Sequence, residues 1–144
     1  MGYCMYQKNC YMFIDKKDFD AVIEAVKNLL KRVEEIGGGC NGSQRTFSWV
    51  DSYELQNSVS ISDVFNSWRW EVGFDENGNI NLFEFAGEKL GDDEILFSSI
   101  APWVRENSYI QMQGEDDDMW RWYFADGKMK EIHPQITWGD SLQQ

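Results

Sequence analysis

The side chains in this chain that are most capable of chemistry are carboxylates, which fall into three clusters. Clustered Asp and Glu can bind cations, act as acid–base pairs in hydrolysis, or present a negative surface to a basic protein. Because the chain has 25 acidic residues, some pair of carboxylates is always available, and the clusters predict no particular reaction. The clusters are Asp75 and Glu76; Asp92, Asp93 and Glu94; and Glu115, Asp116, Asp117 and Asp118.

The segment that begins at Asp75 offers oxygen ligands at alternating positions, as the start of an EF-hand calcium loop does. An EF-hand needs Gly at its sixth position and Glu at its twelfth, where this chain has Ile80 and Ala86. We therefore expect a hairpin turn at Asn77-Gly78 and no metal site there. Weak cation binding by residues 115–118 remains an alternative.

Nucleophilic catalysis has little support in the sequence. The chain has one histidine, His133, and three cysteines, Cys4, Cys10 and Cys40, which fit neither CxxC nor zinc-ligand spacing. A Cys–His pair stays open, but no P-loop, no GxGxxG and no nucleophile-elbow pattern occurs. We expect a protein that is not an enzyme and needs no cofactor.

Tryptophan is concentrated in two Trp-Arg-Trp triplets, at 68–70 and 120–122. Their alternation predicts tryptophans on the buried face of a sheet; the alternative is an exposed platform for a glycan, a base or a partner. Arg69 and Arg121 should then point the other way and pair with acidic neighbours such as Glu71 or Glu84. Whether the triplets record a duplication is left open.

The charge is unevenly distributed along the chain. Residues 1–50 carry seven Lys and Arg against six Asp and Glu, whereas residues 51–144 carry six against nineteen, which makes up the net charge of −12. This balance disfavours nucleic acid or an anionic membrane as a direct partner and favours a basic protein surface.

Hydrophobic periodicity predicts one long helix at 16–36, with Asp15 as its N-cap and Gly37 as its end. Shorter helices are predicted at 61–67 and from 93 to Pro102. Strands are predicted at 11–14 and 46–50, in a hairpin at 68–74 and 80–85, and in a meander at 109–113, 120–125 and 129–132.

These elements predict an α+β fold: an antiparallel sheet of about five or six strands, with one long N-terminal helix and two short helices packed on one face. Residues 1–144 should form a single domain with a near-neutral part (1–50), an acidic part (51–132) and a C-terminal extension (133–144). A loop is expected at Gly37-Gly38-Gly39. No apolar run is long enough to span a membrane and no signal peptide is evident, so a cytoplasmic location is expected.

Size, acidity and the missing catalytic groups are typical of small inhibitor proteins, such as phage anti-defence proteins and toxin-immunity proteins. The leading hypothesis is an acidic inhibitor that occupies a basic, possibly nucleic-acid-binding surface of a partner through the three carboxylate clusters. One alternative is a toxin-immunity-like protein with aromatic hot spots at Trp103, Tyr109, Tyr123 and Trp138; another is a small-ligand or glycan-binding module with a tryptophan platform. Monomer and homodimer are both left open.

Overall fold

A computed structural model of the chain describes residues 2–36, 47 and 49–138, with backbone alone at 33–36. The helices are α1 (Phe19–Ile36), α2 (Ser52–Gln56), α3 (Ile61–Asn66) and α4 (Asp93–Ile100). The strands are β1 (Met5–Tyr11), β2 (Trp70–Phe74), β3 (Ile80–Phe85), β4 (Tyr109–Gly114), β5 (Met119–Ala125) and β6 (Lys128–Ile132). The α+β class is confirmed.

The helix predicted at 16–36 is found in part, because residues 16–18 form a 3-10 turn and the α-helix α1 begins at Phe19. Asp15 accepts a hydrogen bond from the Lys17 backbone N–H (2.9 Å) and so caps a 3-10 turn, Lys16–Asp18, that leads into α1. The apolar stripe of α1 faces the core, with Val22, Val26 and Leu29 buried. The predicted end at Gly37, the glycine loop at 37–39 and Cys40 lie outside the described residues.

Four antiparallel strands form the larger sheet in the order β1-β4-β5-β6. Alternate side chains of β4 and β5 are buried, as the alternation predicts: Ile110, Met112, Trp120, Trp122 and Phe124. Phe97 of α4 packs on this face against Trp122 and Phe124. Asp126 and Gly127 join β5 to β6 with φ of 57° and 72°, which is the geometry of a two-residue hairpin turn.

The six strands lie in two sheets rather than one, because β2 and β3 form a separate hairpin. β3 nevertheless runs beside β1, and the Gln7 side chain fills the gap between them. Its Nε2 donates to the Phe83 carbonyl oxygen, and its Oε1 accepts from the Phe85 N–H, both at 2.7 Å. Single backbone bridges, Cys4 with Lys89 and Ile14 with Ile80, continue this side-chain seam at either end.

Two predicted strands are not found as such. The strand expected at 11–14 is wrong: β1 lies earlier, and Met12 and Ile14 are core residues of an irregular segment. Of the strand expected at 46–50, Thr46 and Ser48 lie outside the described residues, and Phe47, Trp49 and Val50 have no strand geometry. The short helix α2, capped by Asp51, is an element that the sequence reasoning missed.

None of the described helices combines the length and the apolar character that crossing a bilayer demands.

Candidate functional site

Residues 3–5 bring together two acidic segments that are distant in sequence. On one side, the Tyr3 carbonyl oxygen accepts from the Leu90 N–H (2.7 Å), in the loop that leads into α4. On the other side, the Cys4 N–H donates to Glu115 Oε1 (2.7 Å) and the Cys4 carbonyl accepts from the Glu115 N–H (2.9 Å). The loop before α4 and the β4–β5 turn at 115–118 therefore flank the same N-terminal segment.

A single lysine lies between these two flanks. Lys89 Nζ donates to Cys4 Sγ at 3.1 Å, and this bond is the main reason why the pKa of Lys89 is raised. The carboxylates of Glu115 and Glu88 also raise it, so both lie within electrostatic range of the ammonium group. We call the two acidic segments that flank residues 3–5, together with Lys89 between them, the acidic end; the carboxylates of these segments are Glu88, Asp92, Glu94, Glu115, Asp116, Asp117 and Asp118.

Several carboxylates of the acidic end stabilise its own turn. Asp116 accepts a hydrogen bond from the Tyr3 hydroxyl, which lowers the pKa of Asp116 and raises the pKa of Tyr3 to about 12. Asp117 accepts from Gln113 Nε2 at 3.0 Å. The Tyr3 ring lies over Gly114, where an added Cβ atom would collide with the ring. All four residues at 115–118 are nonetheless exposed, so their charge faces outward.

Asp93, predicted to be part of the binding surface, lies in the interior with 1 % of its surface exposed. Its carboxylate accepts from Trp70 Nε1 (2.9 Å), from the Gly91 N–H (3.0 Å) and from Arg69 Nη2 (3.2 Å). Burial raises the pKa of Asp93 and lowers the pKa of Arg69. Its neighbours are placed differently: Asp92 is half-buried and Glu94 is exposed.

The arginines of the two triplets do not pair with Glu71 or Glu84 as expected. Arg69 binds Asp93, and Glu71 and Glu84 instead stand directly opposite each other on β2 and β3. Arg121 Nε donates to Gln111 Oε1 at 2.9 Å. The triplets also differ in local structure, since Arg69 precedes β2 at a φ of 72° whereas Arg121 lies within β5.

Asp75 and Glu76 lie apart from the acidic end. Asp75 Oδ1 accepts from the backbone N–H groups of Asn77 and Asn79, both at 2.9 Å, which builds the β2–β3 turn. That turn lies beside Lys16, whose N–H donates to Asn79 Oδ1. At the β2–β3 turn the backbone bridge joins Ile14 with Ile80, whereas at the acidic end it joins Cys4 with Lys89. The turn with Asp75 and Glu76 and the acidic end therefore lie at opposite ends of β1.

The outward face of the larger sheet has a different character. Its side chains form three rows across paired strands, in which aromatic and amide groups predominate and no Asp or Glu occurs. We call this surface the tyrosine face. Its rows are Tyr11, Tyr109, Tyr123 and Lys130; Asn9, Gln111, Arg121 and Ile132; and Tyr6, Gln113 and Met119.

Contacts between the rows hold the tyrosine face in place. The Arg121 guanidinium lies 4.2 Å from the centroid of the Tyr109 ring, in a cation–π contact. Asn9 Nδ2 donates to the Tyr109 hydroxyl at 3.2 Å, and the Tyr123 hydroxyl donates to Asn107. Beside Arg121 a shallow cavity of about 170 Å³ opens, lined by Gln111, Met119, Trp120, Arg121, Ile132, His133 and Pro134.

The four predicted aromatic hot spots are thus dispersed. Tyr109 and Tyr123 are neighbours on the tyrosine face, Trp103 is half-buried after α4, and Trp138 is 88 % exposed beyond β6. The tryptophans of both triplets are buried, as their alternation with other residues predicts, so they form no exposed platform for a ligand. The sequence does not assign Tyr6 and Tyr11 to this face, because β1 lies earlier than the strand predicted at 11–14.

The described thiol and imidazole groups do not form a nucleophile–base pair. His133 Nε2 lies 3.0 Å from Glu131 Oε2, on an exposed stretch. Cys10 is largely buried, which raises the pKa of its thiol. Within the part of the chain that the structure describes, no three His, Cys, Asp or Glu side chains are grouped so as to hold a metal ion.

Comparison with known proteins adds no template to this geometry. No protein-family model, no curated protein and no solved structure matches the chain.

Proposed function

We propose that the protein is a non-catalytic binding protein whose acidic end engages a basic surface of a partner protein. The observation that supports this proposal is the pairing of residues 3–5 with both acidic segments, which brings the loop before α4 and the β4–β5 turn together and places Glu88 and Glu115 within electrostatic range of Lys89. Asp75 and Glu76 lie too far away to share that surface, and Asp93 is buried within the protein.

The net charge of −12 strengthens the proposal on kinetic grounds. A strongly negative molecule is steered towards a basic surface, which raises the association rate and makes it sensitive to salt. If the basic surface is a nucleic-acid groove, occupancy by the acidic end excludes the nucleic acid. The protein would then act as a nucleic-acid mimic of the anti-defence or decoy type.

The test is a pull-down from a host-cell lysate, at low and high salt, with a local charge variant. The variant carries Glu88→Gln, Glu94→Gln and Asp118→Asn, which remove three negative charges from the acidic end while leaving the bonds of Glu115 and Asp116 in place. The control carries Glu71→Gln, Glu76→Gln and Glu84→Gln, which change the net charge equally at the other hairpin. We expect a basic partner that is retained by the control and lost by the variant and at high salt.

Equal loss with both triple variants would mean that net charge, and not the acidic end, drives capture. Retention by both at high salt would contradict the proposal. Where the captured protein binds DNA, competition between the duplex and the acidic protein, measured by fluorescence anisotropy, tests the decoy mechanism directly.

A second candidate is partner binding through aromatic hot spots, as in toxin-immunity proteins. The observation that favours it is the tyrosine face, because Tyr, Arg and Met are enriched at protein interfaces whereas Asp and Glu are depleted. Tyr11→Ser tests this candidate on the face, and Tyr53→Ser is the matched control, since Tyr53 is an exposed tyrosine of α2. Capture that depends on Tyr11 and resists salt would favour it over the acidic end.

A further inference from the structure

Residues 133–138 form a tail that follows β6, the outer strand of the sheet that carries the tyrosine face. Every residue of this segment is exposed, and Ile136 and Trp138 show 84 % and 88 % of their surface to solvent. Between Pro134 and Trp138 the segment carries no charge. A buried tryptophan removes about 150–250 Å² from water, so leaving Trp138 exposed forgoes a large hydrophobic contribution.

The tail and the tyrosine face adjoin each other. The tail leaves the sheet where β6 ends, and its first residues, His133 and Pro134, line the shallow cavity beside Arg121. Trp120 also lines this cavity, and its indole N–H has no acceptor among the described residues. The cavity is too small for most drug-sized ligands but suits a single side chain.

We propose that two copies of this chain associate through their tyrosine faces, with residues 133–138 of each copy, led by Trp138, seated on the tyrosine face of the other. Such an exchange is self-complementary, as a two-fold symmetric dimer requires. In its own copy the tail leaves Ile136 and Trp138 unpacked, at 84 % and 88 % exposure, so these two side chains do not cover the tyrosine face beside them. Pro134 lies at the rim of the cavity and Trp138 lies four residues further on. Trp138 therefore reaches at most about 14 Å from Pro134.

Charge restricts which surfaces of two copies can meet. Each copy carries −12, so like-charge repulsion opposes the approach of two copies in general. The three rows of the tyrosine face contain no carboxylate, and the segment from Pro134 to Trp138 is uncharged, so these two surfaces join without local repulsion. The contacts of Arg121 with Gln111 and Tyr109 also fix the face before association, which lowers the entropy lost on binding.

The test is the oligomeric state of the full chain, measured by sedimentation equilibrium over a range of protein concentrations. We expect a dimer for the unmodified protein and for Tyr53→Ser. Trp138→Ala and Tyr11→Ser should each weaken self-association about tenfold or more, as truncation of an interface hot spot does. Both altered residues are exposed, and far-UV circular dichroism checks that the variants keep the fold.

A monomer at every concentration would overturn the proposal, as would a dimer that Trp138→Ala leaves unchanged. Salt separates this proposal from the proposed function. Screening should strengthen the association of two like-charged copies and weaken the binding of a basic partner to the acidic end. If the experiments show no self-association, binding of a basic partner to the acidic end can still be tested, and the reverse also holds.

Discussion

The buried carboxylate of Asp93 is stabilised by the hydrogen-bond donors that surround it. The indole N–H of Trp70, the Gly91 N–H and the Arg69 guanidinium all point at it, and together they link the loop before α4 to the first residue of β2. Arg69 itself adopts a left-handed backbone, which is unusual for a residue with a side chain. The Asp93–Arg69 pair thus fixes a strained junction between the loop before α4 and the start of β2. Removal of the Asp93 carboxylate would leave Arg69 without its ion-pair partner.

We expect Asp93→Ala to lower the free energy of unfolding by about 3–5 kcal/mol, the usual cost of removing one partner of a buried ion pair. Urea denaturation followed by tryptophan fluorescence measures the change. The control is Glu94→Ala, which removes the next, exposed carboxylate in the first turn of α4 and should cost less than about 1 kcal/mol. Comparable losses for the two variants would refute a special role for Asp93.

The hydrogen bond from Tyr3 to Asp116 predicts a pH dependence with a definite sign. The pKa of Asp116 is lower in the folded protein than the ordinary value of 3.8, so its contribution to stability is present above that value and is lost as the pH falls through the folded pKa. The urea midpoint of Tyr3→Phe should therefore lie below that of the unmodified protein at neutral pH, and the gap should close in acid.

Tyr6→Phe is the control, since it removes an exposed hydroxyl near the same end of β1 and should leave the midpoint unchanged at every pH. Titration at alkaline pH offers a second test of the Tyr3–Asp116 hydrogen bond. Ultraviolet titration should show one tyrosine ionising near pH 12, as the raised pKa of Tyr3 requires, and this step should vanish in Tyr3→Phe. A gap between Tyr3→Phe and the unmodified protein that persists in strong acid would contradict the assigned bond.

At the scale of elements, the β2–β3 hairpin carries an unrelieved repulsion. Glu71 and Glu84 are exposed and directly opposite, where like charges destabilise a strand pair. We expect Glu84→Lys to raise the free energy of unfolding by about 0.2–1 kcal/mol, because it replaces repulsion with a cross-strand attraction. Glu76→Lys, in the turn of the same hairpin, controls for the change in net charge, and equal gains would point to net charge alone.

Elements whose signals are local could be predicted from the sequence. The cap at Asp15 and the turn at Asn77-Gly78 each act over a few residues, and the structure contains the helix and the hairpin that they delimit. β1 could not be predicted, because its partners lie far along the chain and its Gln7 serves the seam rather than a hydrophobic face.

The same distinction holds for the candidate sites. Alternation in β5 predicts buried tryptophans and therefore outward-facing Arg121 and Tyr123, but Tyr6 and Tyr11 join them only through the long-range pairing of β1 with β4. Nor does the sequence separate Asp93 from its acidic neighbours, since only the tertiary fold places Trp70 and Arg69 beside it.

For the molecule as a whole, the main property is the separation of charge from aromatic surface. The acidic end and the tyrosine face meet at the β4–β5 turn, where Gln113 of the face binds Asp117. A dimer joined through the tyrosine faces would carry two acidic ends and could hold two basic partners or one extended basic surface. Rising ionic strength should then favour dimer formation while loosening the partner, so the two associations oppose each other in their response to salt.

The seam at Gln7 has a consequence for how the protein resists aggregation. An unpaired strand edge is a template for a foreign strand, and β1 and β3 would each present one if they separated. The Gln7 amide supplies one donor and one acceptor at the midpoint of that gap and so satisfies backbone groups on β3 without a regular ladder. The outer strand β6 is guarded differently, by the charges of Lys128, Lys130 and Glu131. Without the Gln7 amide, the Phe83 carbonyl and the Phe85 N–H would lose this partner in the middle of the seam, where an unpaired edge can recruit a foreign strand.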